Sequence, residues 1–259
     1  MFLWEESDKT KMIALEDALP GRDEPVLPDP KPHTVLGTDI LADPEDDQEV
    51  IYLASGCFWG AEKLAWELGA DSTAVGYMGG FTPNPTYEEV CTGKTGQAET
   101  VRVLYTPSKL STEKLLQAFF ESHDPTSLNR QGGDVGTQYR SAIFTTTQAQ
   151  EDIAHSMLQA YQEALTRAGH GEIVTQILSV LVSGPFYPAE DYHQQYLDKN
   201  PGGYQCHSRT GVACPLPGSG PLGQAPAVGT DSAESLDSTE AAHEGEHTKP
   251  VEPIKYETE

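Results

Sequence analysis

The sequence predicts an α+β fold, a sheet carrying helices as a two-layer sandwich, and three observations predict it. Between residues 49 and 214, short apolar or alternating runs of strand type take turns with segments whose apolar residues recur three and four apart. Outside those limits the chain is rich in proline, glycine and acidic residues and carries neither period. No apolar run in the 259 residues approaches the roughly 18 that a membrane-spanning helix requires.

In order along the chain, residues 1–48 form a loop-rich extension, punctuated by Pro20, Pro25, Pro28, Pro30 and Pro32 and ending in the acidic run from Asp43 to Glu49. Val50 to Ala54 is apolar and stops at Gly56, the pattern of a buried strand. Phe58 to Leu68 reads as a helix with Leu64 and Leu68 on one face, and Ser72 to Tyr77 as a second strand. In Thr100 to Tyr105 the residues Val101, Val103 and Tyr105 alternate with Thr100, Arg102 and Leu104, as in a half-buried strand. Ser111 is placed to cap a helix with Glu113 in its first turn and Leu115, Phe119 and Phe120 on its inner face. Ala142 to Phe144 is a further strand. The longest helix is expected over Thr147–Ala168, with Ile153, Met157, Ala160, Tyr161 and Ala164 inward and Gly169 as its stop. Ile173 to Val182 reads as strand, and Pro188 to Leu197 as a short helix begun by proline. From Pro215 to Glu259 there are six prolines, five glycines, nine acidic residues and a single aromatic, Tyr256. Such a stretch buries too little apolar surface to offset its ordering entropy, so residues 215–259 are expected to be a disordered acidic tail.

Charge and cysteine content narrow the function. Forty acidic against 16 basic residues give a net charge of −24, which repels nucleic acid and anionic membranes alike. The N-terminal Met1 to Asp8 lacks the basic flank and apolar stretch of a secretion signal, so a cytoplasmic location is expected. Four cysteines are too few for a disulfide scaffold in a chain of this length, and are expected to be reactive more than structural.

One of them stands out. In Ser55-Gly56-Cys57-Phe58-Trp59-Gly60 a strand ends, a glycine turns the chain, and a cysteine sits where a helix begins. Free N–H groups and the positive end of the helix dipole favour a thiolate there, so the position predicts a lowered pKa and a nucleophile. A lone cysteine beside aromatics is ordinarily a packed core residue, but glycine on both sides of Cys-Phe-Trp is unusual for plain packing.

From Ala18-Leu19-Pro20-Gly21-Arg22 to Cys214 the chain resembles the A-type peptide methionine sulfoxide reductases. The resemblance is carried by Gly56-Cys57-Phe58-Trp59-Gly60-Ala61-Glu62, by Gly76-Tyr77-Met78-Gly79-Gly80, and by Asn84 to Gly93. It continues through His123-Asp124-Pro125, Gly136 to Ser141, Ala189 to Tyr196 and Thr210-Gly211-Val212. It implies a ferredoxin-like mixed sheet at the core and a catalytic domain over residues 49–214. Cys57 would then attack the sulfoxide sulfur, and Glu99 would act as acid at the departing oxygen. Tyr87 and Tyr139 would hydrogen-bond that oxygen, Asp134 would line the site, and Phe58 and Trp59 would hold the S-methyl group and select the S epimer. Cys206 would resolve the Cys57 sulfenic acid and Cys214 would take over, leaving an exposed Cys206–Cys214 disulfide for thioredoxin. The resemblance thus implies no bound cofactor or metal, reducing equivalents from thioredoxin (dithiothreitol in vitro), oxidised proteins and free methionine-S-sulfoxide as substrates, and a monomer.

Three departures accompany it. Gln97 stands where the family usually has His, Arg130-Gln131-Gly132-Gly133 replaces a somewhat different loop, and Tyr204-Gln205-Cys206 has one residue more than a Tyr-Cys pair. Cys91 is expected to be structural. A zinc site built from the four cysteines lacks any Cys-x-x-Cys spacing. Two further readings stay open from the residues alone: a cysteine hydrolase pairing Cys57 with His123 or His193, and a redox-sensing module signalling through the acidic tail. His155, like those two histidines, also reads simply as a polar residue.

Overall fold

The computed structural model describes residues 8–206 and 208–216. In chain order the elements are β1 (Glu49–Ser55), α1 (Phe58–Leu68), β2 (Ser72–Met78), α2 (Tyr87–Cys91), β3 (Ala98–Tyr105), α3 (Thr112–Ser122), β4 (Arg130–Gln131) and β5 (Asp134–Val135). They continue with β6 (Ser141–Thr145), α4 (Gln148–Arg167), β7 (Gln176–Ser179), α5 (Val180–Ser183), β8 (Tyr187–Pro188) and α6 (Tyr196–Lys199). Six strands form one mixed sheet in the order β7-β6-β1-β3-β2-β8. Its four central strands, taken with α1 and α3, are the βαββαβ unit of a ferredoxin-like core. β4 and β5 make a separate hairpin.

Period-two alternation divides the strands' side chains between two faces. Ile51, Leu53, Val101, Val103 and Ile143 point to the face where Phe58, Leu116, Phe120, Met157 and Tyr161 pack from α1, α3 and α4. On the opposite face Ala54, Met78, Ala98, Ala142 and Phe144 meet Tyr52, Leu178 and Phe186. There the N-terminal extension adds Leu27 and Ile40 against Ala74, so a segment with hardly any regular structure still contributes to the core. Polar ties hold it down. The Leu19 N–H donates to Lys94 O at 2.9 Å, and the Arg102 guanidinium donates to the Ile40 and Ala42 carbonyls. Arg22 grips both Glu89 oxygens at 2.8 and 2.9 Å.

Capping follows the sequence closely. Ser111 accepts from Lys114 N, and Thr147 from Gln150 N. α2 opens on Thr86-Tyr87-Glu88-Glu89, which spells a capping box, and both of its reciprocal hydrogen bonds are present. Two expectations need correction. The strand expected over Ile173–Val182 is only Gln176–Ser179, because the Ser179 hydroxyl caps a new turn by accepting from Leu181 N, leaving Leu181 and Val182 exposed. The helix expected from Pro188 does not start there. Pro188 lies in the two-residue edge strand β8, where its missing N–H has no ladder to break. The helix proper begins only at Tyr196, after Gln195 adopts a left-handed φ of 47°. The expectation for 215–259 concerns residues that, from 217 onward, lie outside the described ones. Among the described residues no helix is long and apolar enough to cross a membrane.

Phe120 is fully buried, 5.6 Å from the Tyr161 ring and 5.2 Å from Phe119. Phe120→Ala is expected to cost about 3–5 kcal/mol in urea unfolding. Leu181→Ala, at a side chain 90% exposed, should stay within about 0.5 kcal/mol of wild type.

Candidate active site

β1 runs antiparallel to β3 with Leu53 opposite Val101, so the end of β1 and the start of β3 lie side by side. Cys57 follows the end of β1 and Glu99 opens β3. Gly56 makes the turn between β1 and α1 at a φ of 94°; a Cβ there would also fall 2.7 Å from Gln131 Cγ, so the position suits only glycine. Cys57 is the N-cap of α1. Its neighbours complete a pocket of ≈ 110 Å³ lined by Cys57, Phe58, Trp59, Tyr87, Glu99, Asp134, Tyr139 and Tyr204. The seven residues assigned to chemistry or substrate from the sequence, apart from the two distal cysteines, thus share one cavity.

The electrostatics differ from expectation in one respect. The Phe58 N–H, the first free donor of α1, does not face the sulfur; it donates to Glu99 Oε2 at 3.1 Å. The Cys57 thiol is pushed well above its ordinary range, first by burial and then by the Glu99 charge, against a lowering hydrogen bond from the Trp59 N–H. The lowered pKa expected for a helix-start cysteine is therefore overturned, because burial outweighs the helix end and a carboxyl accepts the N–H that would have stabilised the thiolate. Glu99 is itself buried with no cation beside it. Burial raises it to about 8, the Phe58 N–H opposing and Asp134 adding to the rise. Near neutral pH Glu99 is accordingly a protonated acid. Tyr87 and Tyr139 are also shifted upward, by burial and then by Glu99, and keep their protons as donors.

A polar framework holds these groups. Glu190 Oε1 accepts the Tyr87 N–H at 2.8 Å and Glu190 Oε2 the Tyr77 hydroxyl at 3.0 Å. Gln97 accepts from Gly80 N at 3.0 Å and donates to Thr82 O at 2.8 Å, so the amide makes the supporting bonds at this position. Tyr204 donates to Asp134 Oδ2 at 3.0 Å. The Trp59 indole N–H donates to His193 Nδ1 at 3.1 Å, while Tyr196 stacks on the indole at 3.7 Å. Tyr204, Glu190 and Tyr196 were missed from the sequence. Their nearness in the chain to Cys206 and His193 was the available signal.

The histidines do not pair with the thiol. His123 donates from Nδ1 to Phe119 O at 2.8 Å and accepts at Nε2 from the Ser141 hydroxyl at 2.7 Å. His193 is engaged by Trp59, and burial holds both rings down at about 4, hence neutral. His155 lies on α4 beside Glu151. All four cysteines are free. Cys91, at the end of α2, is half-buried and hydrogen-bonded to Tyr87. Cys206 lines a second cavity, of ≈ 50 Å³, that also reaches Cys57, with Ser122, His123 and Arg209 on its walls. Its Sγ lies 3.6 Å from Gln131 O. Cys214, with its thiol free, is 1% exposed, with its N–H on Glu121 Oε1 at 2.8 Å and its carbonyl on Gln117 Nε2 at 2.7 Å. In this state α3 holds the closing segment in the core. Among the described residues no cluster of His, Cys, Asp and Glu is arranged to hold a metal ion.

A cysteine thiol, a neutral carboxylic acid and two phenols around one small pocket, with a further thiol lining an adjoining cavity that also touches Cys57, fit a thiol-based oxidoreductase. The family model described as peptide methionine sulfoxide reductase matches residues 49–214, and the chain belongs to that family, in its A branch. It is 56% identical over 208 residues to the peptide methionine sulfoxide reductase MsrA of Corynebacterium kroppenstedtii, spanning 79% of this chain and 94% of that one. Among solved structures, methionine sulfoxide reductase A of Corynebacterium diphtheriae superposes with a TM-score of 0.72 at 48% identity, covering 80% of this chain and 99% of that one. The reduced form of Mxr1 from Saccharomyces cerevisiae matches at 36% identity with a TM-score of 0.57, covering 64% and 94%.

Glu99 also links pH to stability. Its pKa is about 8 in the fold against an ordinary 4.5, so the native state holds the proton more tightly than the unfolded chain. Its contribution is fully present below the ordinary value and is lost as the pH rises to about 8. Glu99→Gln, which cannot ionise, should lose less stability than wild type across that window, by on the order of 2–4 kcal/mol in urea unfolding. Equal pH slopes in the two proteins would contradict the assignment.

Proposed function

We propose that this oxidoreductase reduces the S epimer of methionine sulfoxide, free and in oxidised proteins, through a sulfenic acid on Cys57, and that thioredoxin closes the cycle. What carries the reading is the neutral Glu99 carboxyl in the same pocket as the Cys57 sulfur. Sulfoxide oxygen is a poor leaving group unless protonated, and a carboxyl still protonated near pH 7 can supply that proton.

The substrate methyl packs on Phe58 and Trp59, which leaves the oxygen toward Glu99, Tyr87 and Tyr139. Cys57 Sγ bonds to the sulfoxide sulfur while Glu99 protonates the oxygen. The oxygen then passes to Cys57, the thiol proton returns to Glu99, and the products are methionine and a Cys57 sulfenic acid. The Cys206 thiol attacks Cys57 from the second cavity, forming a disulfide and releasing water. Cys214 next displaces Cys57, and thioredoxin reduces the Cys206–Cys214 disulfide by dithiol exchange. Because Cys214 is buried in the reduced state, this last transfer includes release of the closing segment from α3. The enzyme acts as a cytoplasmic monomer. The hydrolase reading has no support in the geometry, since both candidate histidines are committed elsewhere.

With dithiothreitol and the separated epimers of a dabsyl-methionine sulfoxide, wild type should convert the S form alone, and Cys57→Ser should lose roughly three orders of magnitude or more. Conversion of the R epimer, or a well-folded wild type reducing neither, would sink the proposal. Since kcat/KM reports the free enzyme, it should fall as the pH passes about 8 and Glu99 ionises. In Glu99→Gln it should drop about a hundredfold and lose that limb. Cys206→Ser and Cys214→Ser should each abolish thioredoxin-driven turnover while leaving one equivalent of methionine per pre-reduced enzyme.

A further inference from the structure

The mechanism leaves one fully buried carboxyl unused. Glu62 lies on α1, one turn beyond Trp59, and is 0% exposed. Burial lifts it to about 7, three hydrogen bonds opposing that rise. Its Oε2 accepts the Gln195 backbone N–H at 2.9 Å, and its Oε1 accepts the Gln195 side-chain amide at 2.8 Å and the Thr73 hydroxyl at 3.1 Å. The contact continues outward. His33 Nδ1 accepts the Val35 and Leu36 N–H groups, both at 3.1 Å, so its Nε2–H donates to Thr73 at 2.9 Å. One carboxylate therefore ties α1, β2, the N-terminal extension and the segment before α6.

What it holds is a strained residue between two contacts of Trp59. Gln195 is a non-glycine in the left-handed region, φ 47° and ψ 43°, a conformation that costs energy and persists only when its surroundings impose it. Two residues before it, His193 receives the Trp59 indole N–H; one residue after it, Tyr196 stacks on the indole face. Releasing Gln195 would let both move away from Trp59.

We propose that Glu62 is a positioning residue for substrate binding: by clamping Gln195 in its left-handed turn it holds His193 and Tyr196 against Trp59 and thereby sets the wall that receives the sulfoxide methyl. The inference rests on the role of Trp59 given under the proposed function. It differs from a plain stabilising role in what it predicts, since Glu62 touches none of the groups that move protons or sulfur. Its loss should weaken substrate binding and leave the chemical step alone.

The test is single-turnover methionine formation by pre-reduced full-length enzyme, as a function of the concentration of a methionine-S-sulfoxide peptide. It is paired with hydrogen exchange at the Trp59 indole N–H, read by NMR without substrate. Glu62→Ala should raise the half-saturating concentration about tenfold, keep the limiting rate within about twofold, and speed indole exchange. Glu62→Gln should recover most of both, because its amide oxygen can still accept the Gln195 N–H. Unchanged half-saturation, a fall confined to the limiting rate, or indole exchange as slow as wild type would each overturn the proposal. Should Glu62→Ala not fold, Gln195→Ala, which removes one arm of the clamp, is expected to show the same two changes at smaller size, and their absence would overturn it equally. A wild type that reduces neither epimer would refute the proposed function instead, and the exchange data would still decide whether Glu62 sets Trp59.

Discussion

The hydrogen bond from the Phe58 N–H to Glu99 governs more of this molecule than its 3.1 Å suggests. A helix start is an anion site by construction, and placing a cysteine there ordinarily favours the thiolate. Here the neighbouring antiparallel strand inserts a carboxyl into that site. The resident thiol and the resident acid then share one helix end; burial makes each costly to ionise, and the acid's charge would add to the thiol's cost. The resting pocket holds protons on its sulfur, its carboxyl and its phenols.

Keeping a neutral acid and a dormant thiol in register demands a rigid frame, and the frame is polar. Gln97, Glu190 and Glu89 each fasten the backbone around Tyr87 or the opening of β3, and Arg22 reaches in from the N-terminal extension to complete it. None of these residues takes part in the chemistry proposed above. All of them join stretches far apart in sequence, which is why an extension with a single short turn of regular structure belongs to the architecture of the site.

Much of this was legible beforehand because local signals agreed with the global fold. Strand alternation, the Ser111 cap and the Gly56-Cys57 junction each depend on a few consecutive residues. The misses share the opposite character. Pro188 looked like a helix start because only the sheet edge, formed with β2, reveals it as strand. The protonation of Cys57 was misjudged because the carboxyl that opposes the helix dipole comes from 42 positions further along, and periodicity carries no information about such a meeting. The burial of Cys214 depends in the same way on Gln117 and Glu121 of α3.

The ends of the sheet carry a meaning of their own. On one side it closes with β8, two residues long and including a proline; on the other, the four-residue β7 breaks at once into a helical turn. Neither border offers a run of unpaired N–H and C=O groups long enough to recruit a stray strand. A repair enzyme spends its life among oxidised polypeptides, and such clients expose backbone that seeks partners. Borders this blunt leave an extended polypeptide no sheet edge to pair with.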